Sequence, residues 1–226
     1  MSVEPADTWI FGYGSLMWNP GFAFAEARRA RLTGFHRAFC IYSIHYRGTL
    51  RQPGLVLGLD RGGVCDGIAF RIAPAHWAQT LAYLRSRELI YGVYREILAP
   101  IALAHTEGEA PRTVRAVTYI AERAHPAYAG CLPLLREASL IRRSAGRGGT
   151  NLDYLVSTLR HLRALGIVEP RLDRLVTVAG GLAARGIGAP GGRSATAALT
   201  RAWAARVLSA PRTVRDNRFG YRGKRG

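Results

Sequence analysis

The apolar residues of this chain change their period partway along it, and that change limits the folds open to it. Through the first 120 residues the apolar runs are short, rich in Leu, Ile, Val, Phe and Tyr, and broken by turn residues, as β-strands are. After residue 130 they recur at helical spacing. Strands first and helices later predict an α+β domain in which helices cover part of a curled sheet. There are no internal repeats.

In detail, Thr8 to Tyr13 reads as a short strand entering a glycine turn. Segments 30–47, 55–61 and 64–71 read as further strands, with Arg61-Gly62-Gly63 as a hairpin turn. Residues 94–103 and 113–120 are two more, separated by the polar turn 105–112. One helix interrupts them: Pro74 suits a first helical turn, and Trp77, Leu81 and Leu84 share one face. Later, Thr150 and Asp153 form a capping-box pattern ahead of the stripe Leu152, Leu155, Val156, Leu159 and Leu162. Leu172, Leu175, Val176, Ala179 and Leu182 repeat that spacing. The glycine-rich stretch 186–193 reads as a hinge into a last helix near 195–208 and a basic tail. The expected division is therefore a folded domain over 8–185 and an appendage over 186–226.

A chain of 226 residues with 48% hydrophobic content can bury a substantial core without disulfides or metals. Cys40, Cys65 and Cys131 are odd in number, widely spaced and free of any CxxC pattern, which fits reduced thiols in a thiol-rich compartment. His36, His45, His76, His105, His125 and His161 show no HxH or HExxH spacing, so no metal site is expected. No run approaches the roughly 18 apolar residues of a membrane span. The segment MSVEPADTWIFGYG lacks the basic start of a signal peptide. A soluble, cytoplasmic protein with no membrane partner is expected.

Thirty-two basic residues against fifteen acidic ones give a net charge of +17, and only Lys224 among them is a lysine. Eight of the basic residues and one acid lie in 201–226. Such a field attracts anions. The rest is spread along the chain, which argues for a solvated arginine-rich surface rather than a dedicated nucleic-acid groove.

Two places carry chemistry. In FGYGSLMWNP, at 11–20, a strand ends in Gly12-Tyr13-Gly14-Ser15, where glycines let the backbone turn sharply and aim several N–H groups at one spot. A carboxylate suits such a cradle; an ordinary turn leaving a strand would read the same way. It is not a dinucleotide-binding fingerprint, because Met17 stands where the third glycine belongs. The second place is Glu88. If the helix from Pro74 runs past residue 85, Glu88 projects within about 20° of Trp77, inside the apolar stripe, and Arg85 and Arg87 diverge by about 80° to either side. A carboxylate there either pairs with one of the many arginines or has its pKa raised for proton transfer.

Taken together, FGYGSLMWNP at 11–20, RAFC at 37–40, RELIYGVY at 87–94, HPAYAG at 125–130 and GTNLDYL at 149–155 resemble the ChaC family of γ-glutamylcyclotransferases. The resemblance runs from about Trp9 to about Ala184, with the segments in the family's order and spacing. It implies a small mixed β-barrel with flanking helices and no cofactor. It implies conversion of glutathione to 5-oxoproline and cysteinylglycine. It also implies that Gly12, Tyr13, Gly14, Ser15, Leu16 and Met17 bind the γ-glutamyl group, largely through backbone, and that Glu88 is the acid/base catalyst. Tyr128 and Tyr154 are further candidates for lining the pocket. Two other readings compete: a cyclotransferase for other γ-glutamyl peptides or amines, and a non-catalytic nucleic-acid-binding protein using the basic tail.

Overall fold

In the computed structural model, residues 8–104 and 110–184 are described, with side chains up to Gly181. The 186–193 hinge, the helix near 195–208, the basic tail, most of the 105–112 turn and the Leu182 side chain lie outside them.

Five strands close into a barrel in the order β1-β3-β2-β4-β5: β1 is Trp9–Gly12, β2 Glu26–Ser43, β3 Gly54–Arg71, β4 Tyr94–Leu103 and β5 Arg112–Ala121. All neighbours are antiparallel except β1 and β5, whose parallel pairing at Trp9–Ala116 and Ile10–Val117 shuts the barrel. This is the mixed barrel expected from the resemblance.

The hairpin expected at Arg61-Gly62-Gly63 does not exist. Segments 55–61 and 64–71 are one strand of 18 residues, paired with β2 along its whole length. Gly62 and Gly63 have φ of +97° and +71°, and the register slips opposite Gly34, so the three glycines form a bulge. A bulge bends a strand and increases its twist, which lets one long hairpin wrap around the barrel. A glycine pair inside a strand and a glycine pair in a turn look alike in sequence, because both ask for positive φ.

Among the described residues four helices flank the barrel: α1 Pro74–Glu88, α2 Leu134–Arg143, α3 Asn151–Ala164 and α4 Pro170–Ala184. Pro74 occupies the first helical position of α1. Thr150 caps α3, its hydroxyl accepting the Asp153 N–H at 3.0 Å. Helices α2, α3 and α4 bury Ala138, Ile141, Leu155, Leu159, Leu162, Leu172, Leu175 and Ala179 in the same core as Trp9, Phe11, Leu32, Leu59 and Tyr119 from the strands. Val156 of the predicted stripe is exposed. Asn151 is fully buried and acts as a pairing partner for the β3 edge. Its Oδ1 accepts the Leu55 N–H at 2.6 Å and its Nδ2 donates to Leu55 O at 2.7 Å. Two bonds to one residue fix the start of α3 against the barrel.

Candidate active site

The glycine turn leaves β1 at the end of the barrel. Gly12 ends the strand, and Ser15–Met17 form a single 3-10 turn closed by Met17 N–H to Gly14 O at 2.9 Å. The N–H groups of Ser15 and Leu16 open that turn and have no carbonyl partner within it. Tyr13, Leu16 and Met17 are buried in the core cluster, so the turn is anchored by apolar burial. Arg37 of β2, itself buried, donates from Nε to Tyr13 O at 2.6 Å and holds the turn to the barrel wall.

Glu88 is the last residue of α1, so the helix does continue past Arg85 and carries the carboxylate on its inner side. Leu84, one turn earlier, is fully buried, and Trp77 and Leu81 pack on the core. The Glu88 side chain is 18% exposed, and Arg87 Nε lies 3.1 Å from its Oε1. Burial pushes the Glu88 carboxyl above the usual carboxylate range, and the Arg87 charge opposes that rise without cancelling it. The two readings of Glu88 thus coexist: it pairs with an arginine and still keeps a raised pKa.

Three of the tyrosines close to Glu88 are Tyr13 from the turn, Tyr94 from β4 and Tyr154 from α3. Burial pushes all three phenols above their ordinary range, and the proximity of Glu88 adds to each. Tyr94 donates to Leu57 O at 2.6 Å, and the Arg47 guanidinium lies 4.9 Å from the centre of the Tyr154 ring. The result is a buried cluster of three phenol groups around one carboxylate. A general base that must cycle between charged and neutral forms is favoured by such surroundings.

Arg87 joins the two candidate elements. Its Nη2 is 2.9 Å from Ser15 Oγ, and its Nη1 donates to Tyr83 Oη at 3.0 Å and to Asn19 O at 3.1 Å. The turn and Glu88, separated by over seventy residues, are therefore brought together. Tyr154 belongs to this cluster; Tyr128 does not, and instead donates to Asp60 Oδ2 at 2.7 Å. Burial alone would raise the Asp60 carboxyl, but Arg123, Tyr128 and the Arg61 N–H outweigh it and hold it below the ordinary range.

Periodicity carries no signal for Tyr94, Arg37 or the linking role of Arg87, because each reaches the site from a different element. No disulfide joins the cysteines, and burial pushes the thiols of Cys40 and Cys65 up to about 12, so neither supplies a thiolate at neutral pH. Among the described residues no cluster of His, Cys, Asp or Glu could hold a metal ion, and no helix is long and apolar enough to cross a membrane.

Known proteins resemble this chain in sequence and in fold. The model of the family described as ChaC-like protein matches residues 8–179. A glutathione-specific γ-glutamylcyclotransferase of Escherichia coli is 40% identical over 176 residues, covering 77% of this chain and 74% of that protein. The glutathione-specific γ-glutamylcyclotransferase of Schizosaccharomyces pombe is 32% identical over 174 residues, covering 70% of this chain and 83% of its own. A crystal structure of a γ-glutamyl cyclotransferase specific to glutathione from yeast superposes with a TM-score of 0.67 at 22% identity, covering 76% of this chain and 95% of that one, and shares the fold. This chain belongs to the ChaC-like protein family.

Proposed function

We propose that this protein is a cytoplasmic glutathione-specific γ-glutamylcyclotransferase, with Glu88 as its general acid/base and the 12–17 turn as the cradle for the γ-glutamyl group. The observation that carries the reading is the convergence, through Arg87, of a carboxylate of raised pKa and the 12–17 turn, in a chain 40% identical to a bacterial enzyme of that name.

The chemistry is an internal aminolysis. The substrate's α-amino nitrogen attacks its own γ-carbonyl carbon, a five-membered lactam closes, and the amide bond to the cysteinylglycine nitrogen breaks. Nucleophile and electrophile belong to one molecule, so the protein's main task is to hold a folded-back conformer. The amine has a pKa of about 8 and arrives protonated at neutral pH. Glu88 as carboxylate takes that proton and later delivers one to the departing nitrogen, for which a raised pKa suits it. The N–H groups of Ser15 and Leu16 hold substrate oxygens, and the same kind of donor stabilises the oxyanion that forms at the carbonyl. Atoms balance without water or cofactor: glutathione becomes 5-oxoproline and cysteinylglycine. A thiol substrate and three cysteines outside any disulfide suit the cytoplasm.

The test is incubation of purified protein with glutathione, measuring 5-oxoproline and cysteinylglycine, beside γ-glutamyl-alanine as a competing substrate. Release from glutathione well above that from γ-glutamyl-alanine is the expected result. Equal release from both would make the protein a broader γ-glutamyl cyclotransferase, and no release from either would overturn the proposal.

A further inference from the structure

Arg87 carries more contacts across the site than any role in helix stability requires. Its side chain is only 5% exposed. Its Nε faces Glu88 Oε1 at 3.1 Å, its Nη2 faces Ser15 Oγ at 2.9 Å, and its Nη1 reaches Tyr83 Oη at 3.0 Å, Asn19 O at 3.1 Å and Pro20 O at 3.4 Å. One planar cation thus touches the carboxylate at the end of α1 and both ends of the turn that follows β1.

We propose that Arg87 is a positioning residue for the cyclisation: its guanidinium sets the spacing between the Glu88 carboxylate and the Ser15 turn and keeps that carboxylate ionised for proton uptake. The proposal rests on the reading of Glu88 as the base. A lysine cannot do the same work, because an ammonium is a point charge whereas the guanidinium presents donors in fixed directions. The spacing matters because ring closure depends on holding amine and carbonyl in one conformer, and small misplacements of a catalytic group cost up to about 100-fold in rate.

The charge matters independently. Glu88 is faced by Tyr13 from the turn, Tyr94 from β4, Tyr119 from β5 and Tyr154 from α3, and each of these phenols is pushed up partly by the Glu88 charge. Among the groups acting on Glu88 itself, burial raises its pKa and Arg87 lowers it. Without Arg87 nothing in that ring of phenols offsets the burial, so the carboxyl holds its proton to higher pH. An already protonated Glu88 cannot accept the proton of the substrate ammonium.

The experiment is the pH profile of kcat/KM for glutathione in wild type, Arg87→Gln and Arg87→Lys. For Arg87→Gln the expected result is a fall of about 10- to 100-fold, with the acid limb displaced upward by about one pH unit. For Arg87→Lys, which keeps the charge, the limb stays in place while kcat falls, because the fork between Glu88 and Ser15 is lost. Coincident acid limbs for wild type and Arg87→Gln overturn the proposal, as does an Arg87→Lys enzyme with unaltered kcat and KM. If the glutamine variant does not fold, the lysine variant decides on its own. If wild type releases no 5-oxoproline, the reading of the reaction has failed instead. NMR titration of the Glu88 carboxyl in wild type and Arg87→Gln then tests the charge effect without substrate, and an unmoved titration overturns it.

Discussion

Arg37 donates from Nε to the carbonyl of Tyr13 at 2.6 Å, tying a barrel strand to the turn of the candidate site. The same guanidinium donates from Nη2 to Asp66 O at 2.6 Å and forms an ion pair with Glu169. Its side chain is fully buried, whereas Glu169 keeps some exposure. Burial raises the Glu169 carboxyl and Arg37 draws it back down, so the pair shields a charge that would otherwise be costly. Arg37→Met leaves that carboxylate and two carbonyls without their donor. The expected loss is about 3–5 kcal/mol in urea unfolding at neutral pH, the range for breaking a buried pair from one side. Adding Glu169→Gln recovers part of it; no recovery would show that the Tyr13 and Asp66 bonds, not the ion pair, carry the stability.

With Glu88 as the proposed acid/base, Glu88→Gln is expected to abolish proton transfer without changing the shape of the site. Turnover of glutathione falls by at least about 100-fold, while substrate binding, followed by isothermal calorimetry, is retained. A fully active glutamine variant would remove Glu88 from the mechanism.

The same substitution has a signature in stability. The folded pKa of Glu88 is raised by burial above its unfolded value. Its contribution to stability is therefore full below the ordinary glutamate pKa of about 4.3 and is lost as pH rises through the raised folded value. Wild type should lose stability relative to Glu88→Gln over that window. Thermal melts of both proteins between pH 4 and 8 measure it, and parallel curves would mean that the carboxylate is solvated in the folded state.

Asn151 meets Leu55 with one acceptor and one donor. Asn151→Asp keeps the acceptor but turns a carboxylate oxygen toward Leu55 O. That repulsion in a fully buried position costs about 1–3 kcal/mol or more at neutral pH. The loss shrinks as pH falls, because the introduced carboxyl regains a donor on protonation and burial beside a carbonyl raises its folded pKa. Urea midpoints at pH 7 and pH 4 test the sign; a deficit that stays constant with pH would contradict the buried pairing.

Gly67 lies beneath the strand that leads into the turn. A Cβ there would run into Gly12 O and sit 2.6 Å from the Phe11 ring, and the backbone carbonyl cannot give way without shifting the turn. Gly67→Ala is therefore expected to cost about 1–3 kcal/mol, and to lower kcat/KM as well. Full activity in a destabilised variant would uncouple the turn from the strand beneath it.

The order of elements and the helical faces can be read from the chain because they depend on neighbours in sequence. Pro74 at a first helical position, Thr150 with Asp153 at the head of α3, and the Leu155, Leu159 and Leu162 stripe all express local backbone and side-chain geometry. Glu88 stands out for the same reason, as a charge on an apolar helical face. Local geometry fails at Gly62-Gly63, where a turn and a bulge require the same φ and only pairing with β2 tells them apart. It is also silent about Tyr94, Arg37 and Arg87. Their value lies in partners 24 to 132 residues away, reached only when the barrel closes. Sequence by itself determined the α+β class, helices α1, α3 and α4 and the two elements of the candidate site, because short-range propensity and periodicity suffice for them; it did not mark α2. Tertiary structure alone decided that the turn and Glu88 share one guanidinium, because hydrogen bonding and desolvation act through space.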